Sequence, residues 1–172
     1  MALALAGFSG ITIAFVRQPG RLTPLESYRL SLLFGTTFGA MFLGLLPVGL
    51  PLLGLGEDAA WRVSSAAMAV VSVGFVGSWL GPTLRFMRET PEVFHRWILG
   101  SIAVVHLVNA GVQAASAAGV FGGRRGGVYV WGILWFLLHG AQQFARILFI
   151  RPRETDAVPA RESPPEGQHF RY

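Results

Sequence analysis

Hydrophobic residues gather in five runs along the 172-residue chain, at about 2–16, 24–46, 61–80, 97–120 and 128–150, parted by short segments rich in arginine, glycine and proline. The last four are each long enough for an α-helix to cross a hydrocarbon core of about 30 Å. The first, stopped at Arg17, reaches only about 22 Å at 1.5 Å per residue and suits a short or tilted helix. The pattern predicts an all-α polytopic bundle of five spans, or four if the first does not cross, forming a single membrane domain over residues 1–150. Residues 151–172, with four prolines and mixed charge, are too poor in apolar residues to fold alone and are expected to be a flexible tail.

Local signals sharpen the boundaries. Thr23-Pro24-Leu25-Glu26 reads as a helix start, with a threonine cap, proline in the first turn and glutamate three residues after the cap; Thr90-Pro91-Glu92 repeats the start. Pro47, Pro51 and Gly81-Pro82 predict ends or kinks of the second and third spans, because proline lacks an N–H and crowds the preceding turn. Gly122-Gly123-Arg124-Arg125-Gly126-Gly127 makes the last two spans antiparallel neighbours. Two small-residue motifs, Gly35/Gly39 and Gly77/Gly81, are expected to be places where helix backbones pack closely.

Against this greasy background two polar stripes stand out. His106, Asn109, Gln113 and Ser116 follow the 3, 4, 3 spacing of one helical face, and His139, Gln142, Gln143 and Arg146 are expected to share one face of the next span in the same way. Polar groups at membrane depth usually face a protein interior or a wet cavity. Counted from the ends that share a side, His139 lies about level with Val108, near His106 and Asn109, and Arg146 about level with Ser101. The two stripes are therefore expected to meet, either solely as hydrogen-bonding glue between helices or as the wall of a cavity or pore.

Composition narrows the chemistry. All fourteen basic residues are arginine, so Schiff bases and phosphate-loop lysines are excluded. Cysteine is absent, which removes disulfides, thiolate metal sites and cysteine nucleophiles. Apart from Glu26 in the first turn of the second, no aspartate or glutamate lies inside a predicted span, which disfavours cation capture or proton coupling by carboxylates. No nucleophile–base–acid constellation is present and no enzyme activity is expected. The net charge of +5 comes from arginines at span ends, not from a basic face, so nucleic acid is not an expected partner.

Arg17, Arg21, Arg85, Arg88, Arg96, Arg151, Arg153, Arg161 and Arg171 fall on one side and Arg62, Arg124 and Arg125 on the other. This bias predicts a cytoplasmic C-terminus and an outer N-terminus, in a multi-pass protein of the cell membrane. The expected function is channel-type or transport-type, using the polar faces of the fourth and fifth spans in a homo-oligomer, because so small a chain rarely encloses a path alone. A second reading is an accessory subunit that docks on other membrane subunits through the same residues. A lesser one is haem held by His106 and His139; otherwise no cofactor or metal is expected.

Overall fold

The computed structural model describes residues 24–89 and 96–149. The stretch 2–16, the Thr23 and Thr90 caps and the tail lie outside them. The described residues form four α-helices and no strand: α1 (Pro24–Leu52), α2 (Glu57–Glu89), α3 (Arg96–Ala117) and α4 (Arg125–Phe149), with a 3-10 turn at Gly122–Arg124. Within them, Ser27–Leu52, Glu57–Arg88 and Leu99–Ala117 are long and apolar enough to cross a membrane. The fourth helix has an apolar outer face as well, with Val130, Trp131, Leu134, Leu137 and Leu138 exposed, but His139, Gln142 and Gln143 interrupt its hydropathy.

Cross-helix contacts fix the arrangement. Tyr28 meets Trp79 and Thr83, Ser65 meets Ser116, His106 meets His139, and Tyr129 meets Leu43. Each pair runs antiparallel, so the chain goes up, down, up, down. The most extensive packing is α2 on α3 and then α1 on α4. Although α3 and α4 are joined by the short glycine-rich turn, their backbones approach less closely than those pairs do; long polar side chains fill the space between them.

The helices overrun the sequence boundaries at their prolines. The second span was expected to end or kink after Leu46, yet α1 continues through Pro47 and Pro51 to Leu52; α2 passes Pro82 and reaches Glu89. Proline is tolerated in a membrane helix when another donor satisfies the carbonyl it orphans. Here Pro47 can give no N–H to the Leu43 carbonyl one turn earlier, and the buried Tyr129 hydroxyl donates to that oxygen at 2.6 Å. Beside Pro82, the Tyr28 hydroxyl donates to the Trp79 carbonyl at 3.0 Å.

Two helix ends use glycine. At Gly54 (φ 91°) the Leu55 N–H reaches the Leu50 carbonyl and the Gly54 N–H the Pro51 carbonyl. Gly119 (φ 96°) repeats the pattern with Val120 to Ala115 and Gly119 to Ser116. Both are six-to-one and five-to-two closures that turn the chain with a left-handed residue. The second sets the end of α3 at Ala117, three residues before the expected Val120.

The interior combines an apolar cluster of Ala40, Leu43, Met68, Tyr129 and Phe136 with many polar groups. Thr36, Ser64, Ser65, Ser72, Thr83, His106, Gln113, Ser116, His139 and Gln143 are buried. Meanwhile large apolar side chains such as Phe42, Val70, Val104 and Leu107 face outward on every helix. Polar groups inside and a greasy exterior, on three helices long and apolar enough to span, are compatible with a membrane protein.

Candidate functional site

The polar stripe of α3 lies along the bundle interior. His106, Gln113 and Ser116 are wholly buried, and Asn109 is half-buried between them. Each meets a neighbouring helix: Ser65 Oγ donates to Ser116 Oγ at 3.2 Å, Asn109 Nδ2 donates to Ser72 Oγ at 3.2 Å, and Gln113 Nε2 donates to the Val128 carbonyl at 3.0 Å. At the fourth level His106 Nε2 and His139 Nδ1 stand 2.8 Å apart, and His139 Nε2 lies 2.9 Å from Gln143 Nε2. The result is a column of hydrogen-bonding groups about 15 Å long, one per helical turn of α3.

Depth counting placed the two histidines within about two residues of each other, and the structure brings them into contact. The α4 stripe divides, however. His139 and Gln143 face inward, 3% and 4% exposed, Arg146 is half-buried, and Gln142 is exposed. Adjacent helical residues point about 100° apart, so Gln142 and Gln143 do not share a face.

Aromatic rings enclose the histidine pair. The Phe75 centroid lies 5.0 Å from His106 and 5.6 Å from His139, while Trp135 and Phe136 lie 5.8 and 5.2 Å from His106. Two imidazoles that share one metal ion need nitrogens about 4 Å apart, at about 2.0 Å per bond. The observed 2.8 Å is a hydrogen bond, and haem between His106 and His139 requires the rings to separate.

The expected glycine contacts are placed elsewhere. A Cβ at Gly39, Gly77 or Gly81 would meet nothing within 4 Å, and at Gly35 it would make only an ordinary contact with Phe75. The close approaches occur at Gly132, where a Cβ would crowd Met68, Gln113 Nε2 (2.8 Å) and Asn109 Oδ1 (3.0 Å), and at Gly140, at 3.2 Å from both Thr36 Oγ1 and Thr37 Oγ1. The eight-residue spacing of Gly132 and Gly140 around buried Phe136 was the available signal. Ser65 and Ser72 were likewise missed, although their seven-residue spacing puts them on one face of α2.

Beyond the column, Asp58 at the start of α2 ties two helix ends together. It accepts from Arg62 Nε at 2.8 Å and pairs with Arg125, whose side chain is almost buried. Among the described residues no group of three metal-ligating side chains forms. Compared with known protein families, with curated proteins and with solved structures, the chain matches none of them.

Proposed function

We propose that the protein is a small membrane protein of transport type, in which the column from Ser116 to Gln143 passes a small hydrogen-bonding species through the bundle. The observation that carries the reading is the direction of the stripe: its polar groups turn into the chain's own interior, one per helical turn, each bonded sideways to a neighbouring helix. Docking glue for a partner subunit would instead place such residues on the outer surface, where α3 and α4 carry Val104, Leu107, Leu134 and Leu138. With no acid in the column, its members are neutral hydrogen-bond donors and acceptors, and Arg146 adds a positive charge at one end. By the arginine bias that end faces the cytoplasm, and the expected assembly is a homo-oligomer in the cell membrane.

Flux into liposomes tests the reading. Reconstituted protein is expected to raise the permeability for water, protons, a halide or a small neutral solute above that of empty vesicles. Gln113→Leu, which interrupts the column between Ser116 and His106, is expected to lower that flux with the assembly mass unchanged. Vesicles as tight as empty ones to all four species, together with recovery of the protein in a stoichiometric complex, refute transport and establish the accessory-subunit reading.

A further inference from the structure

Away from the column, at the end of the bundle where the start of α2 meets the end of α3 and the start of α4, one carboxylate serves two guanidiniums. Asp58 Oδ2 accepts from Arg62 Nε at 2.8 Å, and Asp58 Oδ1 pairs with Arg125 Nη1. Among the described residues Asp58 is the sole polar partner of both arginines, and Arg125 Nε is buried with no hydrogen-bond partner. Glu57 and Arg124, the other charges described at this end, are exposed and cancel. The trio therefore carries one net positive charge. Arg125, only 7% exposed, holds part of that charge out of water, where a cation short of a partner is costly.

Gly119 marks where the free donors converge. The place a Cβ would take there lies 3.2 Å from Arg62 Nη2 and 3.4 Å from Arg125 Nη2. A single point that touches both puts the two nitrogens within the span of one oxyanion, whose oxygens accept from guanidinium at about 2.7–2.9 Å. Glycine serves twice at this position: it takes the left-handed φ of 96°, and it keeps a side chain from pressing on both arginines. The backbone also holds Arg125 in place. A Cβ at Gly126 would meet the Trp61 ring at 3.4 Å, so α4 begins tight against α2, and Trp61 in turn lies edge-on to Tyr129 at 5.8 Å.

We propose that Arg62 and Arg125 form a binding site for a phosphate group, supplied by the phosphodiester of an anionic lipid headgroup or by free phosphate. Two guanidinium forks from different helices suit an anion with several oxygens better than a halide, because each fork can take a separate oxygen. A singly charged phosphodiester matches the net charge of the trio. Asp58 acts as a positioning residue, aligning the two forks without touching the anion. The Arg62 side chain is 45% exposed and that of Asp58 66%, so the site opens at the surface and is reached without passage through the interior. Helix ends of a membrane bundle lie at the level of lipid phosphates, which places the ligand within reach. The site stands whether or not the column conducts.

The test uses full-length protein in a maltoside detergent, which carries no phosphate. Inorganic phosphate is titrated against chloride at equal ionic strength, and phosphatidylglycerol against uncharged diacylglycerol, with the thermal midpoint and the lipid retained in native mass spectrometry as readouts. One phosphate group per chain is expected to bind and to raise the midpoint. Stabilisation by phosphate beyond chloride assigns a free anion; stabilisation by phosphatidylglycerol alone assigns a headgroup. Affinity is expected to fall about tenfold in Arg62→Gln, which keeps the Arg125–Asp58 pair, and to hold in Arg124→Gln, which removes the same charge from an exposed neighbour. Equal losses in the two variants reduce the cluster to diffuse surface charge and overturn the site, as does wild type that binds neither species. Nitrogen-15 NMR of wild type gives a reading free of variants: the Arg62 and Arg125 guanidinium signals are expected to shift as the anion is added, and unmoved signals overturn the site.

Discussion

Replacing Gly132 by alanine separates the packing seen in the bundle from the packing its motifs suggest. A Cβ there would crowd Met68 and stand 2.8 Å from Gln113 Nε2 and 3.0 Å from Asn109 Oδ1. Overpacking of this kind costs about 1–3 kcal/mol. Displacing the Gln113 amide from the Val128 carbonyl forfeits a membrane hydrogen bond worth about 0.6–2 kcal/mol. Against this, alanine is better than glycine inside a helix by about 1 kcal/mol. The net expectation is a loss of about 2 kcal/mol. Gly39→Ala and Gly77→Ala meet open space, and only the propensity gain remains, up to about 1 kcal/mol of added stability. Reversible unfolding in mixed detergent micelles, followed by far-ultraviolet circular dichroism, measures all three on one scale. Adding Met68→Ala to Gly132→Ala removes the worst contact and is expected to restore part of the loss. Wild-type stability in Gly132→Ala, or an equal loss in Gly77→Ala, refutes the packing argument.

Tyr129→Phe leaves the Leu43 carbonyl, already deprived of a donor by Pro47, buried without a partner, and is expected to cost about 1–3 kcal/mol in the same unfolding assay. In Pro47→Ala/Tyr129→Phe the helix supplies its own N–H, so the hydroxyl's loss is expected to matter less than in the Pro47 background. Asp58→Asn removes the carboxylate that Arg62 and Arg125 share, leaving the nearly buried Arg125 charge uncompensated. Thermal denaturation in detergent is expected to begin earlier, with most of the difference persisting at high salt because the Arg125 side is screened little. Protein purified from haem-supplemented cells is expected to show no Soret band, since the His106 and His139 nitrogens are bonded to each other; a bis-histidine spectrum shows that the rings part.

The α3 stripe was legible because a 3, 4, 3 spacing of polar residues has one physical meaning in an apolar helix, and all four residues do lie along one inner face. The α4 stripe was legible only in part: spacing alone put Gln142 beside Gln143, while helix geometry turns one out as the other turns in. Span ends were misread at the prolines for a different reason. A proline rule considers one helix, whereas the donor that lets α1 continue past Pro47 is Tyr129, 86 residues away in the chain. Within a single chain Gly39, Gly77 and Gly81 face open space, since a four-residue spacing shows that a backbone is open to approach but not which helix meets it.

Gly132 and Gly140 connect these observations. The same α4 face that bears His139 and Gln143 lacks side chains at two positions, one facing Met68, Asn109 and Gln113, the other facing Thr36 and Thr37. Long inward side chains such as histidine and glutamine would hold helices apart; glycine on either side of Phe136 lets α4 settle against three neighbours regardless. The Gln113 amide reaches the Val128 carbonyl because Gly132 leaves the way open, and that bond fixes α4 against α3 two turns of α3 from His106. The layers on either side of Phe136 thus depend in part on two residues that carry no side chain at all.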